Sequence, residues 1–517
     1  MTNIATKKQF ARNLTSGWVM LFAELAVAFL LTPFIIKQLG AATYGIWSLM
    51  IGVIGYMGLI DIGIRGSVGR YINHYMALKD EQAVGQVVGT ATVVLSGLGL
   101  VTLLVSFGVA QYFLVIFPKT PPELHGAIRF CLPLMAVGMW LAFISSILAN
   151  LLAAKEAQYL NNNYSLMLLL LRAGLTVWVL LAGYGLIGLM LVTIGLGLLG
   201  FALFYRLCKQ VLGPQMPRLA QFSLGRLREM WRFGVASFVS RTASTMANDS
   251  APLIGMWLLG PEAVAIYSVA MTLTQYSRRL IDQANSAIYP SVMKTGAVRD
   301  LPGLRGLYLR FMNVSFAIGS LVFIGMMVFS GSFLTLWVGA TYQAGAVVAG
   351  ILAFGYLMQS FASTAPLALA SLDRIGVTVK IGIGEALACV ALMAALPGLF
   401  GLGLAGLALG ATLPRLFSNM VLYPSLAVDS MGTELRADMW RGLARNLALC
   451  SGVLLVFLAV HWAVPGHTWP GLVASVAIVT LGHVFFIGHR YEAFPIVERF
   501  NQRAHAALRR WVPGGGA

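Results

Sequence analysis

Long apolar segments recur along almost the whole chain and restrict the folds open to it. Hydrophobic residues make up 58% of the 517 residues and charged residues 10%, and the mean hydropathy is +0.81. A soluble core cannot bury apolar runs of this length, whereas a bilayer accommodates them at roughly 20 residues per helix. The sequence therefore predicts an all-α integral membrane protein that crosses the bilayer many times.

About fourteen transmembrane helices fit along the chain at roughly 20 apolar residues per span. The first is expected to be retained, because the apolar run after Lys7, Lys8 and Arg12 is too long for a signal peptide. The predicted spans are 14–36, 44–64, 84–117, 124–150, 159–182, 186–207, 233–259, 262–287, 307–330, 345–371, 376–397, 402–426, 443–463 and 470–489.

Lys and Arg are concentrated in alternate predicted loops, which indicates the orientation. With a cytoplasmic N-terminus, most of the 35 basic residues fall inside, and the net charge of +17 is mostly this asymmetry. The inner segments are 65–83, 151–158, 205–232, 278–306, 372–380, 427–445 and the tail after 489. We expect both termini to be cytoplasmic in a bacterial inner membrane, with anionic lipids rather than nucleic acid as the partner of these charges.

Two basic amphipathic stretches accompany the spans. Leu219–Gly234 lies between the sixth and seventh spans, and Tyr491–Trp511 lies near the end of the chain. Each alternates apolar residues with Arg, a pattern typical of helices that lie along a membrane surface. A solvated linker and tail are the alternative.

Short motifs recur at nearly the same offset and predict a duplicated architecture. The pairs are LGAATYGIWSL at Leu39–Leu49 with LGPEAVAIYSV at Leu259–Val269, GLID at Gly58–Asp61 with RLID at Arg279–Asp282, and GYGLIGL at Gly183–Leu189 with GLGLAGL at Gly401–Leu407. Because each repeat holds six spans, the two are parallel rather than inverted. We predict two six-helix lobes around a central cavity, followed by two further helices. The predicted domains are lobe 1–207, linker 208–232, lobe 233–426, helices 427–489 and tail 490–517.

Motifs for catalysis or nucleotide binding do not stand out. The Gly-rich hairpins satisfy GxGxxG, but none follows a strand in a βαβ unit, so we interpret them as helix caps and sites of close packing. The chain has no GxxxxGK[ST] sequence, and its four Cys lack metal-ligand spacing. We expect a transporter rather than an enzyme, with no catalytic residue, metal or cofactor, and coupling to H⁺ or Na⁺ left open.

Ionisable side chains inside the spans are the main functional candidates. A charge at a helix centre costs roughly 2.5–3.5 kcal/mol unless it faces a polar cavity or a partner. Span seven carries polar residues at three- and four-residue spacing, which places them on one helical face. They are Ser237, Arg241, Ser244, Thr245, Asn248 and Asp249. We predict that this polar stripe lines a water-filled cleft, the alternative being a buried Arg241–Asp249 pair that only orders the helix.

Other charged positions extend this prediction. Glu24 in the first span and Arg172 in the fifth are expected to line the same cavity. Two pairs spaced four residues apart lie near the predicted cytoplasmic ends of spans two and eight, where they form either gates or local ion pairs. These pairs are Asp61 with Arg65 and Arg278 with Asp282. Glu385 and Arg415, in spans eleven and twelve, are expected to be structural partners.

Several of these segments carry a family resemblance. LTPFIIKQLGAATYGIWSL, DIGIRGSVGRYI (Asp61–Ile72) and LLAAKEAQ (Leu151–Gln158) resemble the polysaccharide and O-antigen flippases of the multidrug/oligosaccharidyl-lipid/polysaccharide exporter superfamily. The resemblance covers nearly the whole chain in span number and order. It implies a central cavity with alternating access, and carriage of a polyprenyl-diphosphate-linked oligosaccharide, such as an O-antigen, capsule or exopolysaccharide unit, from the cytoplasmic to the periplasmic leaflet. A cationic cleft is implied as a role, which we assign to Arg241 and Arg172.

Three alternatives remain open. A cation-coupled drug exporter of the same superfamily is disfavoured by Arg172 and Arg241, which repel cationic cargo. A flippase for a lipid-linked peptidoglycan precursor is closer. A membrane-embedded glycosyltransferase or polymerase is expected to expose a large outer loop, and the predicted outer loops are short. For the flippase, the implied partners are the lipid-linked oligosaccharide, glycosyltransferases and a polysaccharide polymerase.

Overall fold

The predicted spans fold as helices, most of them long. The computed structural model describes residues 2–61, 63–213, 221–286, 289–464, 466 and 468–490, and every regular element within them is helical. Packing divides the chain into two units, Met1–Ser268 and Val269–Ala517. The predicted lobe and linker boundaries remain a prediction, and the tail from residue 491 lies outside the described residues.

The first unit is built from long helices joined by short corners. In chain order its helices are α1 (Thr2–Leu39), α2 (Ala41–Met57), α3 (Ile64–Ala77), α4 (Glu81–Ile116), α5 (His125–Ala154), α6 (Gln158–Leu181), α7 (Gly185–Leu212), α8 (Leu224–Leu258) and the start of α9 (Pro261–Ser286). A short 3₁₀ turn, Gly58–Asp61, separates α2 from α3.

The second unit contains two helical rods that are each interrupted by a π-helical turn. Its helices are the rest of α9, α10 (Tyr289–Ala297), α11 (Leu301–Gly319), α12 (Gly325–Val338), α13 (Gly345–Ala362), α14 (Ala365–Ser371), α15 (Ile375–Gly398), α16 (Gly403–Phe417), α17 (Tyr423–Met431), α18 (Glu434–Ala463) and α19 (Trp469–Arg490). The π turns are Ser320–Ile324, between α11 and α12, and Ser418–Leu422, between α16 and α17.

Ten segments of the described chain are long and apolar enough to cross a membrane. They comprise α1 from Thr15, α2 with its 3₁₀ turn, α4 to α7, α11 with α12, α13 with α14, α15, and α18. The other predicted spans coincide with α8, α9, α16 with α17, and α19. Polar residues interrupt the apolar pattern in the first three, and the apolar part of α19, Trp469–His483, is short.

Two of the three repeated motif pairs have similar backbone geometry in both halves, whereas Gly58–Asp61 forms a 3₁₀ turn and Arg279–Asp282 lies within α9. Gly40 and Gly260, which precede α2 and α9, have φ of 78° and 98°. In the two GxGxxG hairpins the first two glycines all have positive φ, and a Cβ on the third, Gly188 or Gly406, would lie within 3 Å of neighbouring atoms. Glycine tolerates both demands because it lacks a Cβ. The interpretation as turns and close packing is confirmed.

Helix α3 lies in the core of the first unit, packed among neighbouring helices. The buried residues of α3, Ile64, Val68, Ile72 and Tyr75, recur every three or four positions and pack with residues of α4, α5, α7 and α8. Residues 224–234 of the basic stretch are continuous with the rest of α8, and the expectation that this stretch lies along the membrane surface stays a prediction. The first turns of α8 contact α3 and α4.

Candidate functional site

Asp61 is the centre of a charged cluster at the end of the 3₁₀ turn. Its side chain is only 1% exposed. The Gly63 backbone N–H donates to Oδ1 at 2.9 Å, Arg65 Nε donates to Oδ2, and Arg241 Nη1 lies 3.7 Å from Oδ2. We call Asp61, Arg65 and Arg241 the arginine cluster. The cluster brings together Asp61 and Arg65, which the sequence predicts as a gate or local ion pair, and Arg241, which it predicts to line the cavity.

Close backbone contact between the start of α3 and α8 brings these residues together. Gly63 has φ of 73°, and a Cβ there would lie 2.0 Å from the Gly234 carbonyl oxygen and 2.8 Å from the Phe238 nitrogen. Gly234, Phe238 and Arg241 are spaced by four and three residues, so they share one face of α8. The face that touches Gly63 therefore also directs Arg241 towards Asp61.

The arginine cluster carries an excess of positive charge. Two guanidinium groups face one carboxylate, and Arg65 Nη2 is buried without a hydrogen-bond partner in the structure. The Arg65 guanidinium lies 4.9 Å from the ring centroid of Phe143, a cation–π contact that compensates for part of its desolvation. The Arg241 side chain is 49% exposed. A buried N–H without a partner costs free energy, so the cluster favours an additional anionic or acceptor ligand.

The polar stripe of α8 extends from Arg241 along one side of the helix. Ser244 is exposed, while Thr245, Asn248 and Asp249 are partly buried. At about 3.6 residues per turn, these lie opposite the buried residues Ala243, Ala247 and Ser250. On the packed side of α8, the Ser250 and Tyr56 hydroxyls form a hydrogen bond that joins α8 to α2. Asn248 Nδ2 donates to the Ser244 carbonyl at 2.7 Å and approaches its Oγ at 3.3 Å.

Arg172 and Glu24 lie on a different pair of helices from the arginine cluster. Arg172, on α6, is exposed and donates to Thr193 Oγ1 of α7 at 3.1 Å. Glu24, on α1, is partly buried. Hydrogen bonds from Tyr159 N to Asn13 at 2.9 Å and from Asn162 to Ser16 at 3.0 Å show that α1 and α6 run side by side in the same direction. The assignment of Arg172 and Glu24 to one substrate cavity with Arg241 stays a prediction.

In the second unit, Arg278 and Asp282 form an ion pair of 3.3 Å along one turn of α9. Both line a cavity of about 270 Å³ together with Tyr356, Gln359 and Glu385, among others. Glu385 Oε1 lies 3.8 Å from Arg415 Nε, so their predicted partnership is confirmed. The location of Tyr356 and Gln359 beside these charges was not predicted, because a single polar residue in an apolar span carries no signal about its neighbours.

Potential metal ligands do not cluster in the described part of the chain. No group of three or more His, Cys, Asp or Glu side chains there is arranged to hold a metal ion. Cys131, Cys208, Cys389 and Cys450 are each buried as free thiols.

Comparisons with known proteins agree with this architecture. A family model described as "Polysaccharide biosynthesis protein" matches residues 10–295. The chain is 22% identical over 489 residues to "Uncharacterized membrane protein EpsK" of Bacillus subtilis, covering 92% of this chain and 94% of that protein. These matches confirm the resemblance inferred from the sequence motifs.

Solved structures identify the fold. The chain is similar to the lipid II flippase MurJ in an inward closed conformation, with a TM-score of 0.67 and 11% identity over 92% of this chain and 98% of that one. The chain is also similar to an inward-facing multidrug resistance MATE family transporter of the MOP superfamily, with a TM-score of 0.65 and 15% identity. This match covers 81% of this chain and 99% of that one. A third similar structure is a MOP superfamily transporter from Pyrococcus furiosus, with a TM-score of 0.59 and 15% identity. It matches over 86% of this chain and 96% of that one. The fold is all-helical, consistent with about fourteen transmembrane helices.

Proposed function

This chain belongs to the polysaccharide biosynthesis protein family, and on that premise we propose that it is a flippase for a polyprenyl-diphosphate-linked oligosaccharide. The cargo moves from the cytoplasmic to the periplasmic leaflet of a bacterial inner membrane by alternating access. The observation that carries this proposal is the arginine cluster, in which two guanidinium groups share one buried carboxylate.

The diphosphate is the part of the cargo that needs such a cluster. Burying its charges in hydrocarbon without partners is costly, so the protein must replace the water around them. Arginine offers planar, permanently charged donors that match phosphate oxygens in pairs. Arg241 is half-exposed and therefore has donors to offer, while Asp61 holds it beside Arg65.

The remaining parts of the cargo have different requirements. Sugar hydroxyls can exchange hydrogen bonds with the polar stripe of α8, at Ser244, Thr245 and Asn248. The prenyl chain remains in the lipid. Glu24 and Asp249 are our candidates for coupling transport to H⁺ or Na⁺, or for balancing the charge of the arginines. Arg172 extends the cationic surface to α6.

The principal alternatives differ in their cargo. A drug exporter that binds organic cations is disfavoured because the arginine cluster carries excess positive charge. The likeness to MATE transporters is at 15% identity and concerns the fold. A flippase for a peptidoglycan precursor shares the diphosphate chemistry and differs only in the sugar part.

Translocation by the purified protein in proteoliposomes tests the proposal. The substrate is a fluorescent polyprenyl-diphosphate oligosaccharide, and the variant is Arg241→Ala. Loss of one charge-assisted contact to phosphate removes about 1.5–3 kcal/mol, so we expect translocation to fall about 10- to 100-fold. Arg441→Ala is the matched control, because Arg441 is exposed and pairs with exposed Asp438 at 3.3 Å.

Each outcome distinguishes the candidates. Translocation by the native chain that falls only in folded Arg241→Ala supports a flippase with a cationic phosphate site. Translocation that Arg241→Ala leaves unchanged keeps the flippase and removes Arg241 from its mechanism. Export of a cationic dye without translocation of the lipid-linked saccharide supports the drug exporter, and selective translocation of a lipid-linked peptidoglycan precursor supports the third candidate.

The cellular setting follows from this function. We propose that both termini are cytoplasmic, because the basic loops of the chain then face anionic headgroups on the inner surface. The oligosaccharide must be assembled on its lipid before transport and consumed afterwards. Glycosyltransferases and a polysaccharide polymerase are therefore the proposed partners.

A further inference from the structure

A second polar site lies wholly within the second unit. Its cavity has a volume of about 270 Å³ and is lined by side chains from α9, α13, α14, α15 and α17 and from both π turns. Phe323 belongs to the first π turn and Asn419 to the second. π turns are frequent at functional sites, because they widen a helix locally and redirect its side chains. We call this space the tyrosine cavity, after Tyr356 on its wall.

The charges of the tyrosine cavity are balanced. Arg278 pairs with Asp282 at 3.3 Å, and Arg415 pairs with Glu385 at 3.8 Å. This differs from the arginine cluster, where one carboxylate serves two guanidinium groups. Arg278, Asp282 and Glu385 line the cavity, and Arg415, which is not one of its lining residues, neutralises Glu385. Because each carboxylate is paired with an arginine, the cavity does not select a ligand by net charge. It offers both donors and acceptors, which suits a neutral ligand with many hydroxyl groups.

Tyr356 places an aromatic surface among these charges. Its hydroxyl accepts a hydrogen bond from Arg415 Nη1 at 3.2 Å. The Arg278 and Arg415 guanidinium groups lie 5.3 and 5.8 Å from the ring centroid, and the Phe323 ring stacks 5.9 Å away. An aromatic wall beside planar hydrogen-bonding groups can contact the C–H face of a sugar ring while its hydroxyls are bonded at the edge.

The second π turn adds amide groups to the same wall. Asn419 Nδ2 donates to the Arg415 carbonyl oxygen at 2.8 Å, so Asn419 and Arg415 are held in a fixed relation. Gln359 and Tyr423 line the cavity from α13 and α17. The volume lies just below the usual range for drug-sized ligands, which fits a small ligand of one or two rings.

We propose that the tyrosine cavity binds a neutral sugar unit of the transported saccharide. This inference rests on the proposed flippase function and adds that two sites of different charge bind different parts of the cargo. The arginine cluster takes the diphosphate because it is cationic, and the tyrosine cavity takes a sugar because it is neutral overall and rich in both donors and acceptors. Gln359, Tyr356 and Asn419 are then residues that determine sugar specificity.

Photochemical labelling tests the site directly. The probe is a polyprenyl diphosphate linked to one N-acetylhexosamine whose acyl group carries a diazirine, and the control probe carries the diazirine at the end of the prenyl chain. The purified full chain is irradiated in proteoliposomes, and labelled peptides are mapped by mass spectrometry. We expect the sugar probe, unlike the control probe, to label the peptides that contain Tyr356 and Asn419.

Matched variants connect the label to the cavity. Gln359→Leu keeps the side-chain size and removes the amide that is proposed to bond the sugar, so labelling should fall about fivefold. Gln343→Leu is the control, since Gln343 is exposed and does not line the cavity. Tyr356→Phe keeps the ring and removes only the hydroxyl. It provides a second test if Gln359→Leu elutes as aggregate.

The outcomes separate this inference from the proposed function. Labelling in the cavity that depends on Gln359, together with translocation, supports both. Cavity labelling without translocation supports sugar binding and refutes the flippase. Translocation with labelling confined to other segments, or unchanged in both folded variants, refutes the sugar site and leaves the flippase in place. Neither translocation nor cavity labelling refutes both.

Discussion

Gly63 shows how a single residue controls the geometry of the arginine cluster. Its left-handed backbone conformation begins α3, and its missing side chain lets α8 approach until Arg241 reaches Asp61. Asp61 in turn accepts from the Gly63 N–H, so the carboxylate and the turn hold each other in place. The same glycine therefore serves both the fold and the candidate phosphate site.

We expect Gly63→Ala to destabilise the protein and separate Arg241 from Asp61. A left-handed conformation costs an L-residue roughly 1–2 kcal/mol, and forced repacking adds about 1–3 kcal/mol. The thermal unfolding midpoint in detergent measures the loss. Gly55→Ala is the control, because Gly55 lies in helix α2, where a Cβ would meet no atom within 4 Å, and alanine is favoured there by about 0.5–1 kcal/mol. Equal midpoints for the two variants would contradict the close contact.

At the scale of an element, α8 has two roles along its length: its first turns contact other helices, and its later turns carry candidate site residues. Its first turns are fixed to α3 and α4. Arg226 forms an ion pair with Glu229 at 3.0 Å and donates to Gln86 at 3.3 Å, and Tyr75 donates to both Glu229 oxygens at 2.9 and 3.0 Å. The Ser223 N–H donates to Thr90 at 2.9 Å. Farther along, the same helix carries Arg241 and the polar stripe.

Glu229 bonds both Tyr75 of α3 and Arg226 of α8 at this contact. Burial raises the pKa of the Tyr75 hydroxyl, and the hydrogen bond and charge of Glu229 raise it further, so the hydroxyl remains a donor at neutral pH. Glu229 also accepts from Arg226, which lies 4.4 Å from the Tyr75 ring centroid. The Glu229 carboxylate thus links α8 to α3, and its removal affects its contacts with both Tyr75 and Arg226.

We expect Glu229→Ala to loosen the start of α8. The net value of about 0.5–1.5 kcal/mol per hydrogen bond predicts roughly 2- to 10-fold faster amide hydrogen exchange over residues 224–231. Mass spectrometry of the protein in detergent measures the rate. Arg228→Ala is the matched control, because Arg228 is exposed on the same turn. Exchange accelerated equally by both variants would show that the cluster does not fix the helix.

At the scale of the whole molecule, the exposed surface is that of a protein surrounded by lipid. Large apolar side chains such as Leu104, Val115 and Leu455 are strongly exposed along α4 and α18. Such a surface is stable only in hydrocarbon, since water would drive it together. The basic loops then determine which way the helices cross the membrane.

Cysteine labelling in intact cells tests that orientation. The native cysteines are all buried and can be replaced to give a background without reactive thiols. With the N-terminus inside, Glu123→Cys should react with a membrane-impermeant maleimide in intact cells, and Asp80→Cys only after lysis. Both positions are exposed, so access rather than burial decides the result. The reverse labelling pattern would show that the N-terminus lies outside and that the inferred direction of transport is wrong.

Much of this architecture could be predicted from the sequence, because it depends on properties that are local along the chain. Apolar run length determines the helices, and glycine placement determines the repeated corners at Gly40 and Gly260. Spacing by three and four residues determines which side chains share the polar stripe of α8. Each pattern expresses hydrogen bonding or sterics within a few residues, so no knowledge of neighbouring helices is needed.

Only the tertiary structure decided which of these faces meet. Asp61 and Arg65 are predictable as a local pair, yet Arg241 joins them through the contact of Gly63 with Gly234 and Phe238, far apart in sequence. Tyr356 likewise lies between Arg278 and Arg415 because five helices and two π turns pack around one cavity. The sequence by itself determined the helices and their polar faces. Packing decided their partners, since contact between distant segments depends on the shapes of all the side chains between them.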